Sequence, residues 1–140
     1  MALIDVLQEN PALTIDAFQR LQSEYDDRFI AGDFSGFRKI EHTYAHMGKL
    51  MGRLADYVHD IQEGKEVSTE EIRTKVIPDL LVYSAWLAKE LGVDIESAYL
   101  TRFVGNIRRL HQDKISEEEL TEIEKRVTER TAERFSPKTF

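Results

Sequence analysis

Eight apolar residues, Phe37, Ile40, Tyr44, Met47, Met51, Leu54, Val58 and Ile61, follow one another at steps of three or four through the middle of this chain. Such steps return a side chain to the same side of an α-helix, whereas a half-buried strand would alternate at every second residue. The pattern predicts one amphipathic helix over roughly residues 36 to 62, long enough to be the spine against which shorter helices pack. Ser35 stands where it can cap that helix, and Gly64 closes it.

The remaining punctuation is helical too. After a short apolar lead from Leu3 to Leu7, Thr14 can cap a helix that carries Ile15, Phe18, Leu21, Tyr25 and Phe29 on one side and ends near Gly32. Ser68-Thr69-Glu70-Glu71 has the form of a capping box, in which the Ser68 hydroxyl and the Glu71 carboxylate satisfy reciprocal backbone donors. Pro78 interrupts the helix that begins there, because proline lacks the amide donor and crowds the carbonyl four residues earlier. The helix either kinks or restarts at Pro78. It stops at Gly92, and another follows Asp94, from Ile95 to roughly Gln112. Ser116 opens a charged last helix with Leu120, Ile123, Val127 and Phe135 as apolar markers, its Glu117-Glu118-Glu119 run complementing the helix N-terminus. No strand pattern, internal repeat or linker competes, so the chain is expected to form one all-α domain over residues 1–140.

Composition narrows the function classes. At 140 residues and 41% hydrophobic content the chain can supply one core. A formal charge of −7 argues against a broad footprint on a phosphate backbone, so nucleic acid is not an expected partner. The absence of cysteine removes disulfides, thiolate metal sites and thiol nucleophiles. Asp5 breaks the only apolar run near the start, and nothing approaches the roughly 18 apolar residues of a membrane span. A cytoplasmic protein without membrane partners is the expectation.

A second stripe runs along the long helix: His42, His46, Lys49, Arg53, Asp56 and Asp60 also recur every three or four residues. Charged faces are usually solvated faces, and that reading stands beside any functional one. His42 and His46 have the i, i+4 spacing of two imidazoles offered to one transition metal, but no HExxH glutamate lies between them. His59-Asp60 has the dipeptide of the HD-domain phosphohydrolases, yet His46 precedes it by only thirteen residues on the same expected helix, where that family uses separate helices.

From Val76-Ile77-Pro78-Asp79-Leu80-Leu81-Val82-Tyr83, through Leu87-Ala88 and Gly92-Val93-Asp94-Ile95, to Arg102-Phe103-Val104-Gly105-Asn106-Ile107-Arg108-Arg109, the chain resembles the back half of a MazG-like nucleoside triphosphate pyrophosphatase. The resemblance implies a helical bundle with a four-helix core over about residues 36–112, flanked by N-terminal and C-terminal helices. It implies assembly as a homodimer or homotetramer, and hydrolysis of a nucleoside triphosphate to monophosphate and pyrophosphate with magnesium or manganese. In that family the long core helix carries EExxE and the next carries ExxD, because a hard divalent cation wants several oxygen ligands.

Here Asp79 matches the aspartate of ExxD, and Val76 stands at its glutamate. Aligning Gly48-Lys49-Leu50-Met51-Gly52-Arg53-Leu54-Ala55 with the long-helix motif puts Lys49 and Leu50 at the paired glutamates and Arg53 at the third. Lys49, Arg53 and Asp79 then carry a net formal charge of +1 where the family pattern carries five carboxylates. With an effective dielectric of about 20, each unit charge about 5 Å from another contributes on the order of 3 kcal/mol, so the added cations oppose a metal there. They suit an anion instead.

Arg102, Asn106 and Arg109 share one helical face and resemble the family's KxxxNxxR-like pattern, with arginine in place of lysine. The resemblance thus assigns substrate or phosphate contacts to Lys49, Arg53, Arg102, Asn106 and Arg109, and metal ligation to Asp79, with His42, His46 and Asp56 as the replacements available for the lost glutamates. Interhelical salt bridging with the acidic last helix is the competing role for the arginines. Trp86, Tyr83 and Tyr99 are expected in the core or, alternatively, stacked on a base. Two functions follow: a divergent nucleotide pyrophosphohydrolase, or a non-catalytic nucleotide- or phosphate-binding protein or scaffold of the same fold.

Overall fold

A computed structural model describes residues 12–30, 32 and 34–131, and every regular element among these residues is helical. The α-helices are α1 (Ile15–Phe29), α2 (Phe37–Gln62), α3 (Ile77–Leu91), α4 (Ile95–Leu110) and α5 (Glu117–Arg130), with a π-helical segment at Ile72–Val76 and a 3-10 turn at Gln112–Lys114. The apolar lead Leu3–Leu7 and the marker Phe135 lie outside the described residues. None of the described helices is long and apolar enough to cross a membrane.

Local chemistry sets most boundaries. The Thr14 hydroxyl accepts from the Ala17 amide at 3.1 Å, Asp94 accepts from the Ser97 amide at 3.2 Å, and Ser116 accepts from the Glu119 amide at 3.1 Å. Gly92 takes the left-handed conformation (φ 66°), which lets the Val93 amide reach back to the Ala88 carbonyl at 2.8 Å and close α3.

Two boundaries differ from expectation. Gly36, not Ser35, is the N-cap of α2. Its φ of 64° and ψ of −141° belong to glycine, and its amide donates to Glu90 Oε2 at 2.7 Å, so a carboxylate from across the bundle does the work of a local cap. Ser68 accepts from the Glu70 amide at 3.2 Å, but Glu71 does not complete a capping box, because its carboxylate pairs with Arg53 on α2 at 3.3 Å. At Pro78 the second of the two expected outcomes is found: α3 starts at Ile77 with Pro78 in its first turn, directly after the π segment. The turn before it widens into the π segment, the Ile77 amide bonding to the Ile72 carbonyl five residues back, and this relieves the crowding a proline ring causes in a regular turn.

α3 is the hub: it packs against α2 on one side and α1 on another, while α4 packs on α1 and α5. Ala17, Leu50, Val76, Ala85, Trp86, Ala88 and Leu120 form the buried apolar set. Gln19 holds the α3–α4 connection, its amide nitrogen donating to the Val93 carbonyl at 2.7 Å and its amide oxygen accepting from the Ile95 amide at 3.0 Å. The apolar stripe of α2 is not buried along its length. Lys39, Thr43 and Leu50 are the buried positions of that helix, whereas Phe37, Tyr44, Met51, Val58 and Ile61 are exposed.

Candidate functional site

The face of α2 that meets α3 carries part of the charged stripe. His42 and His46 are one helical turn apart and their rings pack with centroids 4.1 Å apart. His46 lies 5.3 Å from the ring of Tyr83, His42 lies 6.0 Å from Trp86 in a stacked arrangement, and Tyr83 meets Trp86 edge-on at 5.4 Å. Phe34 closes the row with edge contacts to His42 (5.1 Å) and Trp86 (6.1 Å). Trp86 is buried, Tyr83 and His46 are half-buried, and His42 is exposed, so the row grades from core to solvent. Tyr99, by contrast, is exposed on α4, stacked on Phe103.

Asp79 and Lys49 flank this row. Burial lowers the pKa of His46, the positive fields of His42 and Lys49 lower it further, and Asp79 opposes them. Burial, reinforced by Asp79, raises the pKa of the Tyr83 phenol. His46 is therefore a neutral imidazole at pH 7, able to donate from one ring nitrogen and accept at the other. Lys49 and Asp79 both act on His46, and no hydrogen bond or ion pair joins the two among the described residues. Arg53 turns instead to Glu71, and that carboxylate cancels the excess positive charge counted from Lys49, Arg53 and Asp79.

Farther along α2, Asp60 of the stripe pairs with Lys65 at 2.8 Å, and His59 beside it lies 3.1 Å from Glu63. Asp56 is exposed.

Arg102, Asn106 and Arg109 stand elsewhere. α4 has no substantial packing interface with α2, so within one chain they do not converge with Lys49, Arg53 and Asp79. Arg109 reaches Asn106 at 3.4 Å, and Arg102 borders a shallow depression of about 480 Å³ with Ser97, Thr101 and Gly105. Arg108 between them takes the interhelical role, bonding Glu124 of α5 with both guanidinium arms.

The magnesium or manganese implied by the MazG-like resemblance does not fit this donor set. Among the described residues no group of three or more His, Asp or Glu side chains is placed to share a metal ion. Asp79 acts electrostatically on His46 and on Tyr83.

The most enclosed polar cluster was not anticipated from the sequence. Lys39 is 4% exposed, with its ammonium 3.5 Å from Asp26 Oδ2 and 3.6 Å from Glu90 Oε1 and lying 4.8 Å from the centre of the Trp86 ring. Asp26 Oδ1 accepts from Trp86 Nε1 at 2.9 Å and from Gln22 at 2.8 Å. A cavity of about 150 Å³ opens beside it between Phe34, Ser35 and Lys89. One signal was available: Lys39, Thr43, His46 and Leu50 share three-or-four spacing, which places a lysine on the same helical side as Leu50. Nothing local, however, marks Asp26 and Glu90 as its partners.

Comparison with protein-family models, curated proteins and solved structures finds no match to this chain.

Proposed function

We propose that the α2–α3 face binds a small phosphate-bearing aromatic ligand of nucleotide type, and does so without hydrolysing it. The observation that carries this reading is the graded row Phe34, His42, His46, Tyr83 and Trp86, with Lys49 and Asp79 at its border. An exposed imidazole supported from beneath by aromatic rings offers a planar ligand a stacking surface. Lys49 is exposed and has no hydrogen bond or ion pair among the described residues, so its ammonium is available to a phosphate. Arg53 can exchange its exposed contact with Glu71 for the same phosphate, since a surface ion pair of this kind contributes little. Asp79 supplies an acceptor for a sugar hydroxyl or an amino group.

The binding reading is preferred to the pyrophosphohydrolase one because no group of three or more His, Asp or Glu side chains among the described residues is placed to share a metal ion, where metal-assisted phosphoryl chemistry wants several ligands. Trp86 is the only tryptophan, so its fluorescence reports on this face directly. Titration with ATP, AMP and inorganic phosphate is expected to change Trp86 emission, and Lys49→Ala to weaken the response to all three. No response to any of them would sink the proposal and leave a scaffold role. Release of pyrophosphate from nucleoside triphosphates with magnesium or manganese, lost in Asp79→Ala, would overturn it in favour of the hydrolase.

A further inference from the structure

The enclosed group of Asp26, Lys39 and Glu90 is unbalanced in charge. All three residues are more than nine-tenths buried, and two carboxylates face one ammonium, a net formal charge of −1 held out of water. Lys89, the other cation beside them, is held by Asp27. The hydrogen bonding is incomplete as well. The Lys39 ammonium stands 3.5 Å and 3.6 Å from its two carboxylates, longer than the roughly 2.7–2.9 Å of a charge-assisted bond, and Asp26 Oδ2 has no hydrogen-bond partner among the described residues. Asp26, Lys39 and Glu90 all line the cavity of about 150 Å³, together with Ile30, Phe34 and Ser35. A cavity of this size has room for about six non-hydrogen atoms, since one like it admits benzene in another protein. Water there would complete hydrogen bonds but leave the buried charge uncompensated, which is the costly part.

We propose that this cavity binds a small organic cation, its primary ammonium head seated between Asp26 and Glu90 across from Lys39 and its short alkyl tail against Ile30 and Phe34. The four charges then alternate in sign around a ring, each ammonium between two carboxylates, and the excess charge is removed. A primary ammonium has three donors, for which Asp26 and Glu90 are two acceptors, and the exposed Ser35, which also lines the cavity, can supply a third. A hard metal ion is less suited, because it wants several oxygen ligands and no group of three acidic or histidine side chains among the described residues is placed to share one. Of the proposed nucleotide face only Phe34 also lines this cavity, so the two readings fail separately.

The indole N–H of Trp86 is the natural reporter, because it donates to Asp26 Oδ1 at 2.9 Å and belongs to the only tryptophan, so it gives a single NMR signal. Titration of the full chain with n-butylammonium chloride is expected to shift that signal saturably and to raise the melting temperature. Tetramethylammonium, which carries the same charge without an N–H donor, and potassium chloride at equal concentration should do neither. Glu90→Gln removes the charge but keeps an acceptor for the Gly36 amide, and should weaken n-butylammonium at least tenfold. Ser35→Leu, at an exposed position, fills the cavity without touching its charges, and should abolish saturation while helical circular dichroism stays unchanged. The absence of a saturable shift in the wild type would overturn the proposal. So would an equal response to tetramethylammonium or potassium, or a response that survives in both variants.

Discussion

Lys39→Met is the most demanding perturbation of this fold, because it removes the single cation from between two carboxylates. With an effective dielectric of about 20, charges separated as Lys39 is from Asp26 (3.5 Å) and from Glu90 (3.6 Å) attract by about 5 kcal/mol each. Taking all three groups out of water offsets most of that, so the net worth of the cluster is small even though breaking it is costly. Methionine keeps the length and the contact with Trp86 but leaves Asp26 Oδ2 with no partner and Glu90 holding only the Gly36 amide. The expected loss is about 3–5 kcal/mol, the usual cost of an uncompensated buried charge. A domain of this size has about 5–15 kcal/mol in total, so its melting temperature should drop by about 10 °C or more. Urea denaturation of Lys39→Met should be compared with the triple variant Lys39→Met, Asp26→Asn, Glu90→Gln. Neutral partners can still hydrogen-bond Trp86 and Gly36, so the triple variant should recover part of the loss. A loss below about 1 kcal/mol for Lys39→Met, or a triple variant worse than the single, would refute the electrostatic reasoning.

NMR titration of His46 should give a midpoint below 6.5, moved up by Lys49→Ala and further down by Asp79→Asn. Because the folded value lies below the unfolded one, the unfolded chain binds the proton more readily, and the His46 contribution to stability falls as pH drops from about 6.5 through the folded midpoint. The Glu124 carboxyl should titrate below the ordinary glutamate value because Arg108 bonds its charged form, and Arg108→Gln should return it there. That contribution is present above the unfolded pKa and lost as pH falls through the folded one, which side-chain carbon NMR can follow. Gly92→Ala should destabilise by about 1–2 kcal/mol, since alanine resists the left-handed turn that ends α3, and thermal melting would read it.

Helices and caps were legible in the sequence because their determinants are local. Thr14, Asp94 and Ser116 cap as expected, and Gly92 stops α3 as expected, since each acts on an amide or carbonyl a few residues away. Where the partner is remote the sequence said less. Gly36 is chosen over Ser35 by Glu90, more than fifty residues away, and the capping box at Ser68 is disrupted because Arg53 draws Glu71 off. That His46 and Lys49 share one face of α2 was readable from helical spacing, whereas Asp79, which acts on His46 from α3, was set beside them only by the MazG-like resemblance. The assignment of Arg102, Asn106 and Arg109 to the same ligand was not readable, because spacing along one helix is silent about which helix stands opposite.

The two proposals meet at Trp86 and are separable because different residues reach it. His42 stacks on the ring at 6.0 Å, whereas Asp26 accepts from its Nε1 at 2.9 Å. Glu90 lines the cavity and Lys49 does not. Lys49→Ala should therefore weaken the response to nucleotide and leave that to n-butylammonium in place, and Glu90→Gln should do the reverse. Any influence of one ligand on the affinity of the other must be reciprocal, so titrating each in the presence of the other measures the same coupling twice. Phe34 lines the cavity and meets both His42 and Trp86 edge-on, so Phe34→Leu should reduce that coupling. Coupling that persists in Phe34→Leu would put its path through Trp86 instead, and independent titrations would mean that the two sites share a reporter and nothing more.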